Sequence, residues 1–213
     1  SGPYAERPAY DNVGQTAAGW LAMFHQGTDA RVPGPAVSDA FTGLFGCMGI
    51  LGALLERERT GRGRKVEVSM LEATIAIATE PLGQMFASGE PLGFFSRASA
   101  SQSYIVTCKD GKRIGLHMSS PDKFWQGLAT AMERHDIFQD ERFASRLARV
   151  EHQVDLIKVL GDIFRQRDRA EWCRRLEAQD VPHAPMYATD EVPEDPQARH
   201  LELFVSTQHP VVG

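Results

Sequence analysis

Two periods of apolar and polar positions run through this chain and divide it into helices, one hairpin and connectors. From Ala40 to Leu55 nearly every position is apolar; Ser38-Asp39 precede the run, Glu56-Arg57-Glu58-Arg59 closes it, and Thr60-Gly61-Arg62-Gly63 follows. That order predicts a buried helix with a polar cap, a charged last turn and a glycine stop. Gly43, Gly46, Gly49 and Gly52 recur inside it every third residue. Each costs roughly 1 kcal/mol relative to Ala in a helix interior, so close approach of another backbone to the stripe is expected. Before it, residues 1 to 37 are rich in Gly and Pro around one short helical pattern, Gln15 to His25, with Trp20, Leu21 and Phe24 on one face. After it, Lys65 to Ser69 alternates as a strand does, and Met70 to Gln84 reads as a helix with Leu71, Ile75, Ala78 and Leu82 on one side. Strand followed by helix is an α/β signature.

Residues 87 to 103 are small and polar, a connector or loop that contains Ser96 to Ser103. Tyr104 to Cys108 and Arg113 to His117 flank Lys109-Asp110-Gly111-Lys112, which predicts a β-hairpin with its positive-φ residue in the turn. Ser119-Ser120-Pro121-Asp122 predicts a helix start leading into Phe124, Trp125, Leu128 and Met132. Amphipathic helices are expected over Leu147 to Arg165 and Asp168 to Gln179, then an extended piece at His183 to Met186, a helix over Glu191 to Leu201 and an extended end near Phe204 to Gln208.

Composition narrows the class. In 213 residues, 23 Lys and Arg face 28 Asp and Glu, a net charge of −5, and 42% of positions are apolar. A disordered tail is excluded, and the acidic balance argues against nucleic acid or an acidic membrane as partner. Cys47, Cys108 and Cys173 are odd in number and far apart, which suggests neither a disulfide framework nor a zinc site and fits a reducing, cytoplasmic setting. The apolar runs fall short of the roughly 20 residues that span a bilayer. The chain opens Ser1-Gly2-Pro3-Tyr4 without Met and ends at Val211-Val212-Gly213, which raises the expectation of a fragment or a processed product.

Candidate chemistry is sparse. The seven histidines are too dispersed for a metal pattern, and no nucleophile elbow, P-loop or dinucleotide motif occurs. Thr60-Gly61-Arg62-Gly63 follows a helix instead of opening one, so it reads as turn chemistry and not as a phosphate loop. Phe124, Trp125 and Leu128 read as helix packing in preference to an acyl pocket. Asp39 stands out because a helix start favours its ionised form, although an Asp at that position is commonly a structural cap.

Gly2-Pro3-Tyr4-Ala5-Glu6-Arg7-Pro8-Ala9-Tyr10-Asp11, Ser38-Asp39-Ala40-Phe41-Thr42-Gly43 and the block from Gly49 through Met70 together resemble the family III CoA-transferases, the group of formyl-CoA and carnitine CoA-transferases. Lys109-Asp110-Gly111, Asp140-Glu141-Arg142-Phe143, Glu171-Trp172 and Val181-Pro182-His183-Ala184-Pro185 extend the likeness across the chain. The resemblance implies an α/β fold with an α+β small domain. Residues 1–86 would be part of the large domain, 87–187 the connector and small domain, and 188–213 a return segment toward the large domain.

It implies an enzyme with no permanently bound cofactor that takes acyl-CoA and a small carboxylic acid as substrates. Asp39 would be the nucleophile, passing through an aspartyl anhydride and an aspartyl-CoA thioester. Tyr10 matches an active-site tyrosine, Met70 a residue on the CoA path, and Gln15 a glutamine placed here with the substrate; Arg97 is a candidate partner for a carboxylate or phosphate. The related 2-methylacyl-CoA racemases carry His where Tyr10 stands, and a phenol with an ordinary pKa near 10 is a poor acid/base replacement. Ser96 to Ser103 stands where formyl-CoA transferases carry glycines. Family members are longer, begin with a Rossmann-like segment and form interlocked homodimers, so a racemase and a truncated, non-catalytic fragment remain the alternative readings.

Overall fold

The computed structural model describes residues 2–25, 30–93, 95–96, 101–119, 122–208 and 210–211. The chain divides into two compact units, Ser1–Arg97 and Ala98–Gly213. The mixture of helices with a small antiparallel sheet is the partial large domain and α+β small domain of the expected fold class.

The first unit is helical. Helix α1 runs Asp11–Ala17, α2 Val37–Thr60, α3 Met70–Ile77 and α4 Thr79–Ser88, with a 3-10 turn at Leu21–Met23. The expected helix from Gln15 to His25 is therefore two pieces, because Gly19 turns the chain at φ 74°. The helix expected over Met70 to Gln84 is also divided, at Ala78 (φ −88°, ψ 15°). Pro81 has no N–H to return to Ile77, so an unbroken helix there loses a bond and gains a ring clash. Ser69 starts α3 by accepting the Glu72 N–H and donating to the Glu72 carboxylate, a reciprocal cap.

Helix α2 departs from expectation in three ways. It begins at Val37, with Ala36 at the cap position and no side chain of its own closing the start. Its end is as predicted: Gly61, at φ 68°, returns its N–H to the Arg57 carbonyl at 2.8 Å. Of the glycine stripe, a methyl on Gly49 would sit 2.7 Å from Val66 Cγ1 and one on Gly46 3.5 Å from Val68 Cγ1, while Gly43 and Gly52 face open space. Three residues advance a helix by about 300°, so a third-residue repeat winds round it and puts Gly43 and Gly52 on opposite sides. The Val66 and Val68 side chains lie against α2, but the strand expected over Lys65 to Ser69 does not form: residues 62–69 belong to no helix or strand.

The third departure concerns length. At 24 residues, with a mean hydropathy of 1.5 over its most apolar window of 18 residues, α2 is long and apolar enough to cross a membrane by length and composition, contrary to the expectation from apolar runs, and only 6% of that window is buried. One or two such helices are weak grounds for a membrane span. Leu44, Met48, Leu51 and Leu55 are all more than half exposed, on one face in 4-3-4 spacing, the seam by which one helix packs on another.

The second unit is built on a three-stranded antiparallel sheet, β1 Ser103–Thr107, β2 Arg113–His117 and β3 His183–Met186, in order 1-2-3. Tyr104 faces Leu116, and Ile114 faces both Val106 and Pro185. Gly111 supplies the hairpin's positive φ, at 77°, as the Asp-Gly pair predicts. The inward residues of β1 and β2, Tyr104, Val106, Ile114 and Leu116, are buried against helices α5 Asp122–Met132, α7 Gln153–Phe164 and α8 Arg169–Glu177. Trp125 and Leu128 of α5 lie in this core, which favours the packing reading over an acyl pocket. The Trp172 and Phe164 rings stack at 4.5 Å, and the indole N–H donates to the Phe164 carbonyl.

The helix expected over Leu147 to Arg165 is broken at His152 into α6 Arg146–Glu151 and α7. Ser145 caps α6 by accepting the Ala148 N–H, and the break gives each half its own inward face, Arg149 on one and Leu156 and Leu160 on the other. Near the end, Asp195 caps a short helix, α9 Pro196–His200, and a 3-10 turn at Val192–Glu194 replaces the first part of the expected helix. Phe204 to Gln208 pairs with no strand among the described residues. The expected Pro121 start of α5 lies outside the described residues.

Candidate active site

The candidate residues meet where α1, α2 and α3 converge in the first unit. Asp11, the first residue of α1, organises the cluster. Its Oδ1 accepts the backbone N–H of Asp39 at 3.1 Å, and its Oδ2 accepts from Gln15 Nε2 at 2.5 Å. Gln15 is 1% exposed and also donates to the Pro35 carbonyl at 3.1 Å, which ties α1 to the turn leading into α2. A carboxylate at a helix start is stabilised by the unpaired N–H groups and the dipole there, and here it is delivered from a different helix.

Ser38, completely buried, is not the α2 cap that its position suggests. Its Oγ lies 2.6 Å from Thr74 Oγ1, and Thr74 donates its proton to the Met70 carbonyl at 2.7 Å. The Ser38 hydroxyl is therefore the donor to Thr74, and the chain of bonds clamps the start of α2 to the first turn of α3. Gly14 makes the close fit feasible: a methyl there would lie 3.0 Å from both Met70 Cβ and Ser38 Oγ.

Asp39 sits in the first turn of α2 with its side chain exposed and, among the described residues, without a hydrogen bond or ion pair to its carboxylate. Tyr10 is the N-cap of α1, 78% exposed, and its carbonyl accepts the Val13 and Gly14 N–H groups. Met70 is half-buried and borders a cavity of about 560 Å³ whose walls include Tyr4, Val13, Gly14 and Thr42, with Arg7 its one formal charge among the described residues. Arg7 is held over the Tyr4 ring at 3.9 Å.

The structure thus gathers Asp39, Gln15 and Met70 around shared contacts and sets Tyr10 beside Asp11. Arg97 lies outside the described residues, as do residues 98–100 of the expected loop. Two amides at the start of α2 are already engaged: the Val37 N–H is bonded to Pro35 O and the Asp39 N–H to Asp11. Sequence reasoning missed Asp11, Thr74 and Arg7. The signal for Asp11 is its four-residue spacing to Gln15 on α1, which puts the two side chains on one face; Thr74 has no comparable mark.

An exposed carboxylate at a clamped helix start, on a helix whose Thr42, three residues on, walls an apolar cavity with one cation among the described residues, defines a class of sites suited to acyl chemistry on a carboxylate. Comparison with known proteins is consistent with that class. The whole chain, residues 1–213, matches the profile of CoA-transferase family III, and the protein belongs to that family. It is 29% identical over 191 residues to the succinyl-CoA–L-malate CoA-transferase beta subunit of Chloroflexus aurantiacus, covering 87% of this chain and 47% of that one. It is 27% identical over 202 residues to the (R)-2-hydroxy-4-methylpentanoate CoA-transferase of Clostridioides difficile, covering 92% and 50%. Among solved structures, a CAIB/BAIF family protein from Brucella suis superposes with a TM-score of 0.79 at 27% identity, over 94% of this chain and 53% of that one. The chain spans about half the length of the curated relatives it matches.

Proposed function

We propose that this chain carries the nucleophile of a CoA-transferase and that Asp39 is that nucleophile. The observation that carries the reading is the Asp39 carboxylate itself: exposed, without a partner among the described residues, and fixed in place because its backbone N–H is held by Asp11. In the reaction, an Asp39 oxygen bonds to the acyl carbon of an acyl-CoA and the thiolate of CoA departs, leaving an acyl-aspartyl anhydride. The thiolate attacks the aspartyl carbonyl, releases the acyl group as its carboxylate and leaves CoA on Asp39 as a thioester. An incoming carboxylate attacks that thioester to give a second anhydride, and the thiolate then takes its acyl group from Asp39. Each step returns the charge it consumes, so no resident cofactor is needed. Met70 and Tyr10 would border the CoA and the acid, with Arg7 as a cation at the cavity, and the buried Gln15 would act by holding Asp11 in place.

The exposed seam of α2 supports a second statement: activity requires more polypeptide than this chain, as in an interlocked homodimer of a longer protein. The test is chemical. A longer chain containing this sequence, incubated with acyl-CoA and then hydroxylamine, is expected to give a hydroxamate at Asp39 by peptide mass spectrometry, and Asp39→Asn to give neither hydroxamate nor transfer. Transfer that proceeds with Asp39 unmodified overturns the assignment. Transfer by the 213-residue chain alone overturns the requirement for more polypeptide.

A further inference from the structure

The interior of the second unit contains a polar cluster that the proposed chemistry does not use. Arg149, on α6, is 4% exposed. Its Nε donates to Gln102 Oε1 at 2.9 Å, its NH1 donates to the Phe143 carbonyl at 2.9 Å, and its guanidinium lies 4.8 Å from the Trp125 ring. Its nearest carboxylate among the described residues is that of Asp122, 3.7 Å away on a side chain that is 79% exposed. A cation removed from water at such a position is poorly compensated by a solvated carboxylate at that distance.

Among the described residues, three buried polar atoms without a hydrogen-bond partner belong to the side chains around this guanidinium: Gln102 Nε2, Tyr104 Oη and Trp125 Nε1. Gln102, Tyr104 and Trp125 are each less than 5% exposed. Tyr104, on β1, follows two residues after Gln102, and burial pushes the pKa of its hydroxyl up to about 12 against the opposing pull of Arg149. Gln102 is held at φ 49°, a left-handed conformation unusual for a residue with a side chain, and its carbonyl accepts the Met118 N–H. The backbone is thus strained at the residue that presents the amide to Arg149.

Buried polar groups are normally satisfied, by protein or by internal water, and each one left alone costs about 1–3 kcal/mol. The character of the orphans selects what satisfies them. Gln102 Nε2 and Trp125 Nε1 only donate, and the Tyr104 hydroxyl has a proton to give. A water molecule accepts two hydrogen bonds and brings two protons that need acceptors of their own. A small anion accepts three or more and also neutralises the buried guanidinium.

We propose that the interior of the second unit binds a small monatomic anion of the halide class, held by Gln102, Tyr104 and Trp125 beside Arg149. The anion ties the residues that open β1 to α5 and α6. The test uses the 213-residue chain with bromide as the probe. Crystals grown in bromide are expected to give an anomalous peak in contact with the Trp125 indole N–H. In solution, chloride is expected to raise the unfolding midpoint above that in gluconate at equal ionic strength. Tyr104→Phe removes one donor with little change of shape, Trp125→Phe removes one donor together with part of a buried ring, and each is expected to weaken the apparent halide affinity about tenfold, given the usual strength of a hydrogen bond to a charged group. Circular dichroism establishes that each variant is folded, and if one is not, the other serves. A water in place of the anomalous peak, an equal chloride response in the variants and the parent, or a peak in crystals with no chloride response in solution each overturns the proposal.

Discussion

Asp11 caps the helix that carries Asp39: the Asp39 backbone N–H donates to Asp11 Oδ1 at 3.1 Å across a separation of 28 residues. The candidate nucleophile is therefore positioned through its main chain, which leaves its carboxylate free to react. The same Asp11 carboxylate holds Gln15 at 2.5 Å, so one side chain sets the geometry of two candidate site residues.

Asp11→Ala removes both contacts and is expected to destabilise the first unit by about 1 kcal/mol, the usual cost of a lost cap. Asp11→Asn keeps an oxygen for one of the two donors and should lose less. Urea unfolding of the three proteins checks the order. An Asp11→Ala protein as stable as the parent would mean that water takes over the Asp39 N–H without loss.

Glycine substitutions in α2 separate the two halves of the stripe. At Gly43 and Gly52 a methyl meets open space, so Gly→Ala is expected to stabilise by about 0.5–1 kcal/mol through helix propensity. At Gly49 the methyl would stand 2.7 Å from Val66 Cγ1, on a stiff β-branched side chain, and strain of about 1–3 kcal/mol outweighs the same gain. Gly49→Ala is therefore expected to be the less stable by thermal unfolding, and equal effects at Gly49 and Gly52 would place residues 66–68 away from α2.

The glycines also illustrate what the sequence discloses. The long apolar run, its glycine stop and the Asp-Gly hairpin were legible because each is local: periodicity and turn chemistry decide them within a few residues. The breaks at Ala78 and His152 were not, since a helical pattern continues through both, although Pro81 was a mark in plain view. The site was half legible. Asp39, Gln15 and Met70 came through resemblance to a family, whereas the partners of Ser38 and of the Asp39 N–H depend on how three helices meet, which no spacing along the chain encodes. The covering of α2 was misjudged for a related reason: an apolar run signals burial but does not name what buries it.

Acid is expected to loosen the second unit through Glu191. Its carboxylate accepts the Ala188 N–H at 2.9 Å and pairs with Arg169, also at 2.9 Å, which together lower its pKa from 4.5 to about 2. A folded pKa below the unfolded one contributes stability that is fully present above pH 4.5 and is lost as the pH falls from 4.5 toward 2. Glu191→Gln removes this contribution at neutral pH and is expected to flatten the dependence of the unfolding midpoint on pH in that window. Identical pH profiles for Glu191→Gln and the parent would remove Glu191 from the acid response.

The exposed face of α2 makes a prediction about association. Leu44, Met48, Leu51 and Leu55 are 52, 58, 61 and 62% exposed, and a contiguous apolar stripe of this kind draws a partner when water is the alternative. The opposite side of the helix holds Val66 and Val68 against Gly49 and Gly46, so the unit has used one face of α2 and left the other. The 213-residue chain on its own is therefore expected to self-associate in sedimentation velocity. Leu51→Lys with Leu55→Glu places charges on the stripe without touching the packed face, and is expected to shift the population toward monomer with the helical circular dichroism unchanged. A parent chain that sediments as a monomer would mean that this seam tolerates water.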